Sequence, residues 1–422
     1  MKDHYKLIGL SAVGACFELF DFLSFIFLSS VLANVFFPSQ SASYGLFYTF
    51  AIFSTGYFFR PIGGILLAHF GDRYGRKQIF VLTLMLMSLP SLIIAVMPTT
   101  QQVGMLAPIL LALLRMIQGV SLGGEVAGST TYVAEFVSEK WRTFTCSLIT
   151  AASNIGVLSI SLVVNVITHY LSPAQMIAFG RRIPFLIGAV LGLFAVYLRK
   201  QFSETPLFLE IKNKSRIEKM PFIYTLKNYF LNIIFGVCLV MVVANSTFTF
   251  HLFFPAYLTN FMHSNIPNVL LISSTGVAIL AIFSPIFALT SMYFGRKKQC
   301  FAGACMLFII CLVAAKSNLS RHTIGEIYLL IIIVSLAIAF VNSVLMAMLA
   351  DLFPTPVRFT GVAVSYNVGC LMGAGFAPLL NTGLLNMTGY LNIPFLLVAV
   401  FSLITMVVVL VSRKKPSLMS LG

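Results

Sequence analysis

A chain of 422 residues, 59% of them hydrophobic and only 9% charged, carries more apolar surface than a soluble fold of that size can hide. Its mean hydropathy of +0.97 excludes soluble α/β and all-β folds and points to lipid as the solvent. The net charge of +15 does not imply a nucleic-acid partner, because the basic residues sit in short clusters between apolar runs instead of on one face.

Twelve helices fit the hydropathy pattern, each near the roughly 20 residues that a bilayer requires. The first six are expected over 8–33, 45–70, 79–97, 103–131, 143–168 and 180–199. The second six are expected over 231–258, 268–293, 300–317, 324–350, 360–386 and 391–411. The longest connection, 200–230, is polar and basic. It divides the chain into an amino-terminal bundle (1–199), a cytoplasmic linker and a carboxy-terminal bundle (231–422). The first apolar run contains Glu18 and Asp21 and lacks the short, charge-free core of a cleavable signal, so it is read as the first span.

Lys and Arg set the orientation. With the amino terminus inside, 21 of the 27 fall in cytoplasmic segments and four (Arg181, Arg182, Lys316, Arg321) outside, leaving Arg60 and Arg115 at membrane depth. Both termini are therefore expected in the cytoplasm. The seven cysteines lie almost entirely in apolar stretches without paired spacing, which suits packing and not a disulfide or zinc framework. No metal or organic cofactor is expected; the proton is the expected coupling ion.

Two loops repeat. Gly71-Asp-Arg-Tyr-Gly-Arg-Lys77 is matched by Tyr293-Phe-Gly-Arg-Lys-Lys298 at an offset of 220. Ala134-Glu135 with Arg142 is matched by Ala350-Asp351 with Arg358 at an offset of 216. Two loops repeating at nearly one offset indicate duplicated halves of like orientation.

Ionisable groups at membrane depth are costly and mark function. There are five: Glu18 and Asp21 in the first helix, Arg60 in the second, Arg115 and Glu125 in the fourth. Three acids against two bases leave one carboxylate in excess, and a buried unpaired carboxylate tends to take up a proton. Glu18, Asp21 and Glu125 are thus the candidate proton-coupling groups. Glu18 and Asp21 share a helix face, while Arg115, Gln118, Leu122 and Glu125 form a narrow stripe. From depth, Glu18 is expected to pair with Arg60, and Asp21 with Arg115 beside a substrate. Arg60, Arg115, Gln118, Asn154, Asn245, Tyr366 and Asn367 are the candidate substrate-binding residues; the second half offers only neutral groups at depth. His251 is read as a satisfied helix-end histidine. Asp72, Arg73, Arg76, Glu135, Arg142, Asp351 and Arg358 are the candidate cytoplasmic gate, pairing across the halves. Gly119-x-x-x-Gly123 reads as close helix packing.

The ordered set of Glu18-Leu-Phe-Asp-Phe22, Phe36-Phe-Pro38, Arg60-Pro-Ile-Gly-Gly64, Gly71-Asp-Arg-Tyr-Gly-Arg76, Arg115-Met-Ile-Gln-Gly119, Gly123-Gly-Glu125, Arg182-Ile-Pro-Phe185, Glu204-Thr-Pro206 and Asp351-Leu-Phe-Pro-Thr355 spans nearly the whole chain. On these motifs the chain resembles the metabolite:proton symporter branch of the major facilitator superfamily. The resemblance implies an all-α membrane protein of twelve helices in two six-helix bundles. It further implies import of a small polar solute (betaine, proline, 2-oxoglutarate, citrate or shikimate) with protons across a bacterial inner membrane by a monomer. It makes Glu18 and Asp21 coupling or binding acids and Arg115 a carboxylate anchor. Pro356, Arg181 and Met292 depart from the family pattern, and a chain ending soon after the twelfth helix is expected not to be an osmosensor. Export by proton antiport is the alternative, although Ser153-Asn-Ile-Gly-Val-Leu-Ser159 in the fifth helix lacks an antiporter Gly-Pro pair. A solute sensor is a further alternative. No phosphate loop, nucleophile elbow or metal-spaced His/Cys set suggests an enzyme.

Overall fold

A computed structural model describes residues 2–38, 42–74, 76–200, 221–262, 269–317 and 323–411. In lipid every backbone polar group must be satisfied within the protein, and a helix does this segment by segment. Among the described residues, ten helices are long and apolar enough to cross a membrane, the bent pair Ala12–Phe27 and Ser29–Phe36 makes another, and the shorter apolar helix Val81–Val96 brings the number to twelve.

The spans are α1 (Lys2–Phe27, continued by Ser29–Phe36), α2 (Ala42–Tyr74), α3 (Arg76–Val96), α4 (Leu106–Phe136), α5 (Glu139–Tyr170) and α6 (Arg182–Lys200). The second bundle comprises α7 (Pro221–Thr247, continued to Asn260), α8 (Val269–Phe294), α9 (Arg296–Lys316), α10 (Ile324–Asp351), α11 (Thr355–Cys370, continued to Thr388) and α12 (Ile393–Val411). The expected linker differs in one respect: α7 begins at Pro221, inside the stretch read as connection, and is broken at Tyr229 (φ −127°, ψ 24°). Residues 201–220 lie outside the described residues.

Three local features shape the spans around the centre. At Leu28 α1 turns by 57°, one turn after Ser24 bonds back to the Phe20 carbonyl at 2.8 Å, a contact that bends helices. The α7 span contains a π-helical stretch, Phe248–Phe253, and α11 another, Leu371–Gly375. Pro255 cannot donate to the His251 carbonyl four residues back, and the Ser273 hydroxyl of α8 donates to that carbonyl instead.

Glycine sets the closest approach of helices. A Cβ at Gly119 would overlap the Gly56 carbonyl, one at Gly63 the Val120 backbone, and one at Gly123 the Arg60 carbonyl. The backbones of α2 and α4 therefore touch along three turns, the small-residue packing of membrane helices. This contact carries Arg60 and Arg115, on adjacent helices, into the protein interior.

Candidate functional site

The two bundles enclose a central cavity of about 150 Å³ lined from α1, α2, α4, α5, α7, α10 and α11. That is below the roughly 300–1,000 Å³ of drug-sized sites and suits a small metabolite. Most of its wall surface is apolar, and polar groups reach it, among them Tyr57, Arg60, Glu125, Asn154, Asn342 and Tyr366.

Arg60 is the cation of this cavity. Its guanidinium lies 5.2 Å from the centre of the Tyr57 ring and 5.5 Å from that of Tyr366, so it bridges the two halves. Its Nε donates to Asn367 Oδ1 at 3.3 Å. Asn367 in turn donates to the carbonyls of Gly123 (2.8 Å) and Ala363 (2.9 Å). Glu125 accepts from Thr83 Oγ1 at 3.4 Å, and Glu18 lies within the electrostatic field of Arg60. Asn154 lines the cavity from α5, and its buried amide nitrogen has no protein partner. A buried donor of that kind is stabilised by whatever polar group fills the space.

A second cluster sits behind the wall. Ser91 Oγ donates to the Asp21 carboxylate, 2.5 Å from both oxygens. Gln118 Nε2 donates to Ser91 Oγ at 2.7 Å, and Arg115 Nη1 donates to Gln118 Oε1 at 2.7 Å. Arg115 Nη2 reaches the Phe22 carbonyl at 3.1 Å. Arg115 is fully buried, with its guanidinium 4.1, 4.8 and 5.3 Å from the ring centres of Phe22, Phe25 and Phe53. The face of a ring attracts a cation most strongly where water is excluded.

The expected Asp21–Arg115 pair is thus a relay through Ser91 and Gln118, not a direct ion pair. Arg115 and Gln118, expected against a substrate, do not line the cavity; Arg115 faces Phe22, Phe25 and Phe53, and Gln118 bonds to Ser91. The cavity takes Arg60, Asn154, Tyr366 and Glu125 from the expected set, with Asn367 directly behind Arg60. Asn245 is also off the cavity and donates to the Gly373 carbonyl at 3.2 Å. His251 is fully buried in the second bundle against Ser335 Oγ at 2.8 Å, in the π-helical stretch and not at a helix end. Sequence reasoning missed Tyr57, Phe248 and Ser91. A tyrosine or phenylalanine among 55 such residues carries no signal by type, and serine in a membrane helix reads as interhelical glue.

On the face rich in Lys and Arg, Arg142 Nη1 meets Asp351 Oδ1 at 2.8 Å, joining α5 of one half to α10 of the other. Arg296 donates to the second Asp351 oxygen, to Thr143 Oγ1 at 2.8 Å and to the Glu139 carbonyl at 3.1 Å. Arg296 was not expected here, because a Lys/Arg run beside a membrane reads as orientation charge. Arg358 folds back to the Ala350 and Phe353 carbonyls at 3.1 and 3.2 Å. The side chains of Asp72, Arg73, Arg76 and Glu135 lie outside the described residues.

The halves also meet nearer the opposite face. Phe50 packs on Phe253 (5.8 Å between centres) and Phe53 on Phe248 (6.0 Å). Ser54 Oγ donates to the Gly375 carbonyl at 2.6 Å. Contacts between halves therefore stand on both sides of the cavity.

The sequence profile described as "Sugar (and other) transporter" matches residues 11–230, and that of the "Major Facilitator Superfamily" matches 237–420. A protein of Escherichia coli (strain K12) named proline/betaine transporter is 30% identical over 426 residues, covering 97% of this chain and 84% of the relative. A Staphylococcus haemolyticus protein, provisionally given the same name, is 31% identical over 411 residues, covering 96% and 87%. Among solved structures, the proton:xylose symporter XylE bound to 6-bromo-6-deoxy-D-glucose superposes with a TM-score of 0.75 at 16% identity, covering 96% of this chain and 94% of that one. A partially occluded inward-open form of XylE from E. coli gives 0.74, also at 16% identity, covering 96% of each chain.

Proposed function

Because this chain belongs to the major facilitator superfamily, in its metabolite:proton symporter branch, we propose that it imports a small zwitterion by proton symport. The observation that carries this reading is the presence of one guanidinium, Arg60, and one carboxylate, Glu125, on the wall of a cavity flanked by tyrosine rings. An Arg fork suits a carboxylate through charge-assisted hydrogen bonds. Glu125 and the face of Phe248 suit the cationic end of the same molecule. A dicarboxylate would set its second charge against Glu125. Relatives named proline/betaine transporter point to the same class.

In this reading the Lys/Arg-rich face is cytoplasmic, in a bacterial inner membrane, and the halves rock about the cavity. Asp21 exchanges the coupling proton, Glu18 and Glu125 hold the charge balance around Arg60, and Asp351 latches the cytoplasmic side. The test is proton flux into proteoliposomes on adding betaine, proline, 2-oxoglutarate, citrate, succinate or shikimate. Betaine or proline should drive inward proton movement, and Arg60→Gln should raise KM by about 10- to 100-fold, the loss of a hydrogen bond to a charged group. Silence across the panel would overturn symport of these solutes; a response to dicarboxylates alone would overturn the zwitterion assignment.

The latch yields a smaller effect. Asp351→Asn removes the shared acceptor of Arg142 and Arg296, both half-hidden, and partly exposed pairs contribute about 1 kcal/mol or less. The inward-facing population should rise by about fivefold, the factor that 1 kcal/mol allows. It is read as labelling of the cavity-lining Cys146 from the cytoplasmic side, resolved by peptide mass spectrometry.

A further inference from the structure

Arg115 is a cation with no carboxylate in contact. Its nearest full countercharge, Asp21, is reached only through Gln118 and Ser91; otherwise the guanidinium is held by the Phe22 carbonyl and by three phenyl rings. One of those rings, Phe53, is also in contact with the other half of the protein, through Phe248 in the π-helical stretch of α7. Phe53 further packs on Tyr57 at 5.3 Å, whose ring carries Arg60 in the cavity. Phe22, Phe53 and Phe248 are fully buried.

We propose that Phe53 is a positioning residue that couples the proton site to the contact between the halves, resting on the symport reading above. While Asp21 is charged, the Arg115 charge is balanced along the relay. A proton on Asp21 removes that balance and leaves Arg115 dependent on the ring faces. Phe53 is then drawn toward Arg115 and away from Phe248, which loosens the outer end of α7. The proton acts on the solute cavity without entering it, because Tyr57 and Phe248 form the shared wall. The other titratable groups lining this cavity are Arg60 from α2, Glu125 from α4, Cys146 from α5, and Tyr366 and Cys370 from α11, and Glu18 from α1 acts on Arg60. Of the remaining packed elements, α3 presents Ser91 and α6 presents Gly188, whose missing Cβ makes room for the Asp21 carboxylate. His251 of α7 turns to Ser335.

The test needs no solute. Hydrogen exchange of the segment Phe248–Asn260 is followed in the full-length protein in nanodiscs, below and above neutral pH and corrected for intrinsic rates. The wild type should exchange faster under acid. Asp21→Asn should hold the acid rate at both pH values, whereas Glu18→Gln and Glu125→Gln should keep the dependence. Mono-, di- and trifluorinated phenylalanine at position 53 keep the ring's shape and weaken its face step by step; the pH dependence should fall in the same steps. Phe53→Leu should abolish it and Phe53→Tyr restore it. A dependence that is absent in the wild type, or unchanged across the fluorinated series, overturns the proposal. Proton flux in the solute panel is measured separately, so failure of symport and failure of this coupling are distinguishable.

Discussion

Asp21→Asn is expected to convert concentrative uptake into equilibration while solute exchange across the membrane continues. Asparagine keeps the shape of the side chain and can still accept from Ser91, which lies 2.5 Å from both Asp21 oxygens. It cannot release a proton. One charge moved across about 100 mV supplies about 2.3 kcal/mol, which corresponds to about fiftyfold accumulation, so the ratio should fall from that order to about 1. Exchange should persist because Asp21 does not line the cavity and Arg60 does. The measurement is paired: radiolabelled uptake under an imposed proton gradient, and counterflow without one. Loss of both would make Asp21 part of the solute site, and retention of both would move the proton to Glu18 or Glu125.

The second large effect concerns folding. Gly119→Leu is expected to abolish recovery of folded protein, because even the first carbon of its side chain would overlap the Gly56 carbonyl. Overpacking a well-filled interior costs about 1–3 kcal/mol where side chains can shift. Here the obstacle is backbone on both sides, so α2 and α4 must separate and the contacts that hold Arg60 and Arg115 go with them. Gly119→Ala should give a partial loss, and Gly325→Ala, with open space around it, none. Yield of monodisperse protein in mild detergent and its thermal transition read all three. A normal yield of Gly119→Leu would show that the helices do not approach so closely.

Much of the architecture is legible in one dimension, and particular elements show why. The spans Ile393–Val411 and Val269–Phe294 lie within two residues of their expected limits, since a membrane helix satisfies its own backbone and is marked by its own hydropathy. The start of α7 at Pro221 was hidden because its first turns are polar enough to read as connection. Gly119 and Gly123 disclosed a close packing seam but not its partner, which is α2. The five ionisable residues at depth were identifiable by cost alone, and all five are buried.

What the sequence by itself determined about this protein is therefore its solvent, its spans, its two six-helix bundles and the residues too costly to bury without a purpose. The tertiary structure alone decided their allocation: Arg60 to the cavity, Arg115 to a cage of phenyl rings, Asp21 to Ser91, and Arg296 to Asp351. The reason is physical. Hydropathy and charge act on each segment separately, whereas the partner of a buried side chain depends on the rotation and depth of two helices, and those are set by close contacts such as Gly119 on Gly56 that no pattern along one helix encodes.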